Sequence, residues 1–167
     1  LNPTDTVLDI GSNDCTSLKA YGTKDINRIG IDPTGKKFSK YYPDDVKLVP
    51  DFFTAEKFFS VSDKKCKIIT SIAMFYDLED PCAFAQNIEE SLCEDGVWHF
   101  EQSYLPSMLR LNSYDTICHE HLEYYGLEQI NWILDKVNLQ ILNVSFNEVN
   151  GGSFSVTAGK KNILKPS

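Results

Sequence analysis

The chain has 167 residues, enough for one domain that buries about 70% of the surface its unfolded form exposes, and its 42% hydrophobic and 12% aromatic content is that of a packed globular protein. A formal net charge of −8, from 16 basic and 24 acidic residues, argues against nucleic acid as the main partner, because neutralising phosphates takes clustered Lys and Arg. No apolar run approaches the ~20 residues of a membrane span, and Cys15, Cys66, Cys82, Cys93 and Cys118 are odd in number and scattered without a C-x-x-C pair, which predicts a reduced, cytoplasmic chain with no membrane attachment.

Near the start, Thr6-Val7-Leu8-Asp9-Ile10 breaks at Gly11 into Ser12-Asn13-Asp14, the pattern of a buried strand feeding a tight loop. Gly11 opens backbone angles closed to other residues and lets a ligand approach the main chain, while Asp9, Asn13 and Asp14 put acceptors at the strand's carboxyl end. Such acceptors suit a cationic or hydroxyl-rich ligand. Phosphate fits poorly, since G-x-x-x-x-G-K-[ST] is missing, and so does a dinucleotide, since G-x-G-x-x-G would need glycines where Asn13 and Thr16 stand. The bland alternative is a strand-to-helix turn with Asn13 or Asp14 as helix cap.

The spacing next predicts a short helix over 16–21 and a second strand over 27–31 ending in Asp32. An acid there is where nucleotide-binding doubly wound sheets hydrogen-bond a ribose, and before Pro33 it is also a good turn residue. A helix over 36–42 and a strand over 46–49 lead to Asp51-Phe52-Phe53, where an adenine ring can stack on Phe52 or the aromatics can be core. After a helix over 54–59, the nearly all-apolar strand 66–73 reads as central and parallel. Its end, Ser71-Ile72-Ala73, runs into Met74-Phe75-Tyr76-Asp77, which is pocket wall or core alike. Phe84, Ile88 and Leu92 mark a covering helix over 81–93 closed by Asp95-Gly96, and a fifth strand over 97–101 directs Glu101 and Gln102 to the same edge, with His99 structural. A helix over 126–137 and strands over 140–146 and 153–158, joined through Asn150-Gly151-Gly152, complete an α/β fold: a doubly wound, mostly parallel sheet with an antiparallel hairpin at its edge.

Between the fifth strand and the last helix, His119-Glu120-His121 sets two of the three histidines around a carboxylate. Histidine takes a proton near neutral pH and a neighbouring carboxylate orients it, so the trio is a good acid/base group. Cys118, His119 and His121 are metal-ligand types, but ligands at i, i+1 and i+3 converge poorly and no distant pair completes a set of four. No metal is expected.

The Ile10-Gly11-Ser12-Asn13-Asp14 loop resembles the first motif of class I methyltransferases that use S-adenosylmethionine (SAM). Glu101-x-x-Tyr104-Leu105, then Asn112-x-Tyr114-Asp115-Thr116-Ile117-Cys118-His119-Glu120-His121, together with that loop, the Met74-Phe75-Tyr76-Asp77-Leu78-Glu79-Asp80-Pro81 segment and Asn150-Gly151-Gly152-Ser153, resemble the sugar C-methyltransferases that act on nucleotide-linked 4-keto-deoxyhexoses. The resemblance runs in order over nearly the whole chain. It implies SAM as cofactor, a nucleotide sugar as small-molecule substrate, and methylation of the carbon next to the ketone. Asp9, Gly11, Asn13 and Asp14 would then hold the methionine end, Asp32 the ribose and Phe52 the adenine, while Ser71, Ile72 and Ala73 flank the cofactor. His121 is the implied base, supported by Glu120 and His119, with Phe75, Glu101, Tyr104 and Tyr114 around the substrate.

Two positions depart from the pattern. Cys118 stands where the family has a tyrosine, removing a phenol that assists proton transfer or binds the keto oxygen, with Tyr114, Tyr124 and Tyr125 as replacements. Cys15 stands where it has a glycine, and would crowd the methionine end. The family's flanking zinc module and further α/β domain have no counterpart in residues 1–167, so the chain is expected to be the methyltransferase core of something longer. Two other readings stay open: transfer to oxygen or nitrogen of another small molecule, and a non-catalytic domain that keeps SAM or a nucleotide as a structural ligand.

Overall fold

Among the described residues, apolar runs broken by Gly, Pro and acidic residues form seven strands that join one sheet. In a computed structural model that describes residues 1–23 and 25–166, the elements in chain order are β1 (Thr6–Ile10), α1 (Thr16–Lys19), β2 (Asn27–Ile31), α2 (Gly35–Phe38), β3 (Val46–Val49), α3 (Ala55–Phe59), β4 (Cys66–Ile72), α4 (Pro81–Ser91), β5 (Leu92–Ser103), α5 (Leu105–Leu111), α6 (Leu127–Lys136), β6 (Leu139–Asn147) and β7 (Ser153–Lys160). The sheet order is β3-β2-β1-β4-β5-β7-β6. The first five strands pair parallel, and β7 runs antiparallel between β5 and β6. The expected α/β architecture, with its antiparallel hairpin at the edge, is what the chain adopts.

The order reverses at β1, where β2 leaves on one side and β4 on the other. In an open α/β sheet this switch point leaves a crevice at the strands' carboxyl ends, since the flanking crossovers lie on opposite faces. Side chains alternate along β1, so Leu8 and Ile10 join the large core, whereas Val7 joins a small one with Cys15, Leu18 and Val46.

The large core is built around Phe75, whose ring lies 5.8 Å from Phe84, 5.5 Å from Trp98, 5.6 Å from Phe100 and 5.3 Å from Tyr125. Trp98 satisfies its indole by donating from Nε1 to Ser71 Oγ at 2.9 Å. The helix α4 covers this cluster. It starts where the Asp80 carboxylate accepts the Ala83 amide at 2.9 Å, with Pro81 in its first turn, and it buries Phe84, Ala85 and Ile88.

Two local features differ from the sequence reading. Asp95-Gly96 lies inside β5 rather than closing α4, because buried Leu92 already pairs with Cys66 in the sheet. Gly96 is needed there, as a Cβ would come within 2.7 Å of the Cys66 carbonyl oxygen. The stretch after β5 also forms α5, a helix the periodicity did not announce. In the β6–β7 connection Asn150, Gly151 and Gly152 all take positive φ (51°, 77° and 118°), the region that Asn and Gly tolerate best. All five cysteines are free. Among the described residues no helix is long and apolar enough to cross a membrane.

Candidate active site

Gly11 turns the chain out of β1 at φ 72°, and its amide donates to the Ile31 carbonyl at 2.9 Å, tying the loop to the end of β2. Above this tie opens a cavity of about 670 Å³ at the carboxyl ends of β1 to β4. Its charged lining groups are Asp32, Asp77 and Asp80, and among the described residues no Lys or Arg borders it. Phe38, Phe52, Phe53, Met74 and Phe84 supply apolar wall; Asn13, Thr34, Thr54 and Asn87 supply neutral hydrogen-bonding groups. Acidic, aromatic and hydroxyl-matching surfaces in one crevice suit a ligand with a positive charge, a flat ring and a polyol, and repel a polyphosphate.

Asp32 is the best-defined group in this crevice. It is 5% exposed; Oδ2 accepts the Asn13 amide at 2.8 Å, and Oδ1 accepts the Thr34 amide at 2.6 Å and the Thr34 hydroxyl at 2.7 Å. The three donors fix the carboxylate and still leave acceptor capacity for ligand hydroxyls. Phe52, 71% exposed, presents a ring to the cavity, and Phe53 packs edge-on to Phe84 behind it.

The other expected cofactor residues lie around this crevice without lining it. Asp9 is buried beneath the loop, where the Thr70 hydroxyl donates to it at 2.5 Å. Burial pushes its carboxyl up to about 6, the hydroxyls of Thr70 and Ser17 pull it down, and the charge of Asp32 adds a small push upward. Asp14 accepts the Thr16 hydroxyl at 2.7 Å and the Thr16 amide at 3.2 Å, bonds that start α1 and hold its carboxyl below the usual range. Cys15 takes φ 67°, as a glycine would, yet its side chain is fully buried in the small core and so does not crowd the crevice. Ser71 is occupied by Trp98, while Ile72 and Ala73 are exposed where β4 leaves the sheet. Met74, one residue on, is the member of this stretch that reaches the cavity.

The histidine segment docks on the turn that follows β4. The Tyr76 carbonyl accepts the Leu122 amide at 3.0 Å and the Glu123 amide at 3.1 Å, and the Tyr76 ring lies 4.1 Å from that of His121. Tyr124 stands edge-on to His121 at 6.3 Å. His121 is half-buried; His119 and Glu120 are exposed. The Glu120 carboxyl is held below its usual range by a backbone amide and the Cys118 thiol. Asp77, next to Tyr76, has its carboxyl raised by burial, with His121 pulling it down and Glu120 pushing it up, so it interacts with the histidine segment while lining the cavity. The sequence reading missed Asp77 as a site residue; its one signal was an acid just beyond the fourth strand.

Of the expected substrate residues, Phe75 is 1% exposed at the centre of the core. Glu101 is half-buried in β5, between Ile72 and Ser155. Tyr104 packs between Phe146 and Phe154, each 5.0 Å away, at the rim of a groove with Arg110 and Gly152. Tyr114, 75% exposed, borders a cleft of about 160 Å³ with Met108 and Tyr124. Thus Gly11, Asn13, Asp32 and Phe52 meet at one cavity, His121 adjoins it through the Tyr76-Asp77 turn, and Tyr104 and Tyr114 lie on opposite flanks of α5.

A family model described as "Methyltransferase domain" matches residues 1–144. The chain belongs to this methyltransferase family. C-methyltransferase NovU of Streptomyces niveus is 26% identical over 156 residues, covering 92% of this chain and 37% of that protein; the chain therefore spans well under half the length of this curated relative. Among solved structures, the methyltransferase in complex with the Trm112 methyltransferase activator of Haloferax volcanii superposes with a TM-score of 0.76 at 16% identity, over 96% of this chain and 84% of that one. LepI in complex with SAM does so with a TM-score of 0.72 at 13% identity, over 95% and 43%. These two likenesses speak to the fold alone. Methyltransferases of this class take their methyl group from SAM, and the acidic, aromatic crevice has the chemistry that could hold such a cofactor, with carboxylates and aromatic rings in its lining.

Proposed function

We propose that this chain is the core of a SAM-dependent C-methyltransferase whose substrate is a nucleotide-linked deoxysugar bearing a ketone, methylated on the neighbouring carbon. The observation that carries the reading is that one turn, Met74 to Asp77, both borders the crevice and supports the ring of His121. A base and a methyl donor held by the same short turn are what attack by a carbanion requires. The named C-methyltransferase relative supports the same reading.

In this reading a ring nitrogen of His121 takes the proton from the carbon next to the ketone, and the electron pair left behind is shared with the carbonyl oxygen. Glu120 and His119 flank the base, and the carboxylate of Asp77 favours the positive charge the imidazole gains. SAM, when bound, would supply a methyl on a positively charged sulfur, with a neutral thioether as the leaving group. Asn13 and Gly11 would hold the methionine end, Asp32 the ribose and Phe52 the adenine. Asp9 and Asp14 contribute by shaping the loop and the start of α1, and Ser71, Ile72 and Ala73 by setting the course of the chain beside the cofactor. Five free cysteines agree with a reducing, cytoplasmic setting.

Calorimetric titration with SAM and with S-adenosylhomocysteine tests the cofactor half; micromolar binding, about −8 kcal/mol, that is lost in Asp32→Ala is expected. Turnover with a 4-keto-deoxyhexose nucleotide tests the other half. The product should carry its new methyl on carbon, surviving hydrolysis, and His121→Ala should abolish it. A methyl recovered on oxygen or nitrogen would replace the C-methylation reading, and binding without turnover would leave a cofactor-binding domain.

A further inference from the structure

Removing a proton next to a ketone places negative charge on the carbonyl oxygen, and a hydrogen-bond donor aimed at that oxygen is usually the largest single contribution to such a step. The groups facing His121 are Tyr76 and Asp77 from the turn after β4, Tyr124 from the chain beyond it, and Cys118, His119 and Glu120 on its own segment. Carboxylates cannot donate when ionised. The Tyr124 hydroxyl already donates to the Thr116 carbonyl, at 3.4 Å, and the Tyr125 hydroxyl is buried in the core. Tyr114 is 75% exposed, on a separate cleft beside α5. The Tyr76 ring, by contrast, lies 4.1 Å from that of His121, it is half-buried, and among the described residues its hydroxyl makes no hydrogen bond.

We infer that Tyr76 is the donor that holds the carbonyl oxygen while His121 removes the neighbouring proton. The inference rests on the C-methylation reading. The C–H bond breaks, its proton passes to the His121 imidazole, its electron pair forms the carbon–carbon double bond, and the carbonyl π pair moves to the oxygen, which accepts from the Tyr76 O–H. The phenol keeps its proton throughout. Burial, with Asp77 and Cys118 adding, raises the phenol above its ordinary value, so it stays a donor at neutral pH. The ring contact also sets the distance between donor and base, so the same residue positions His121 and serves the oxygen.

Tyr76→Phe keeps the ring and the backbone acceptor and removes only the hydroxyl. With SAM and a 4-keto-deoxyhexose nucleotide, kcat should fall by about 10²- to 10³-fold, and exchange of the substrate's α-hydrogen with deuterated solvent should slow in parallel. SAM affinity and the melting temperature should stay at wild-type values. Fluorotyrosine at position 76, a more acidic phenol, should move the alkaline limb of the pH–rate profile to lower pH. Wild-type turnover in Tyr76→Phe, with His121→Ala inactive, would overturn this inference and leave the C-methylation reading standing. No turnover by the wild-type chain with keto-sugar nucleotides would overturn both.

Discussion

The ring of His121 rests 4.1 Å from that of Tyr76, and the contact is reinforced from the main chain, because the Tyr76 carbonyl accepts the amides of Leu122 and Glu123. The histidine segment is therefore placed by the turn after β4 rather than by its own secondary structure. Leu122→Pro deletes one of these two donors. It should lower methyl transfer about 100-fold, the scale of a displaced catalytic group, while calorimetry finds SAM affinity unchanged.

Asp32→Ala removes the acceptor for the Asn13 amide and for the Thr34 amide and hydroxyl, along with the group proposed for the ribose. Hydrogen bonds to a charged group are worth about 1.5–3 kcal/mol, so SAM should bind at least tenfold more weakly. The melting temperature should also drop, as two loop amides lose their partner. Asp32→Asn should retain more stability than affinity, which comparison of melting curves with titrations will separate.

Asp9 makes stability depend on pH. Its carboxyl titrates near 6 in the folded chain and near ~3.9 when unfolded, so between these values the folded state binds more protons and stability falls as pH rises. The ionised, buried carboxylate then costs up to about 3 kcal/mol at neutral pH. Asp77, also raised by burial, acts in the same direction. Asp9→Asn keeps an acceptor for the Thr70 hydroxyl. Urea unfolding at pH 4.5 and pH 7 should show a smaller loss of stability for this variant than for the wild type.

Phe75 is in contact with four rings and is 1% exposed, so Phe75→Ala opens a cavity its neighbours cannot close. A loss of about 3–5 kcal/mol is expected, read as a lower denaturant midpoint. Phe52→Ala, at an exposed ring, should leave stability within about 0.5 kcal/mol while weakening SAM binding.

The sequence by itself determined the strands, their order of appearance and the chemistry at their ends. An apolar run broken by Gly11, an acid closing the second strand at Asp32 and Asn-Gly-Gly before the last strand are local patterns, and backbone sterics and side-chain alternation act over a few residues. The His119-Glu120-His121 trio was legible as acid/base chemistry for the same reason. Only the tertiary structure decided which side chains meet. Asp14 and Cys15 are neighbours in the loop after Gly11, yet the left-handed start of α1 leaves one bonded to Thr16 and buries the other in the small core. Met74, Phe75, Tyr76 and Asp77 are consecutive, and the tight turn after β4 sends them to the cavity, the core, the His121 ring and the cavity again. Which residue of such a turn faces which surface depends on what the rest of the chain packs against it, and His121 arrives there from far along the sequence.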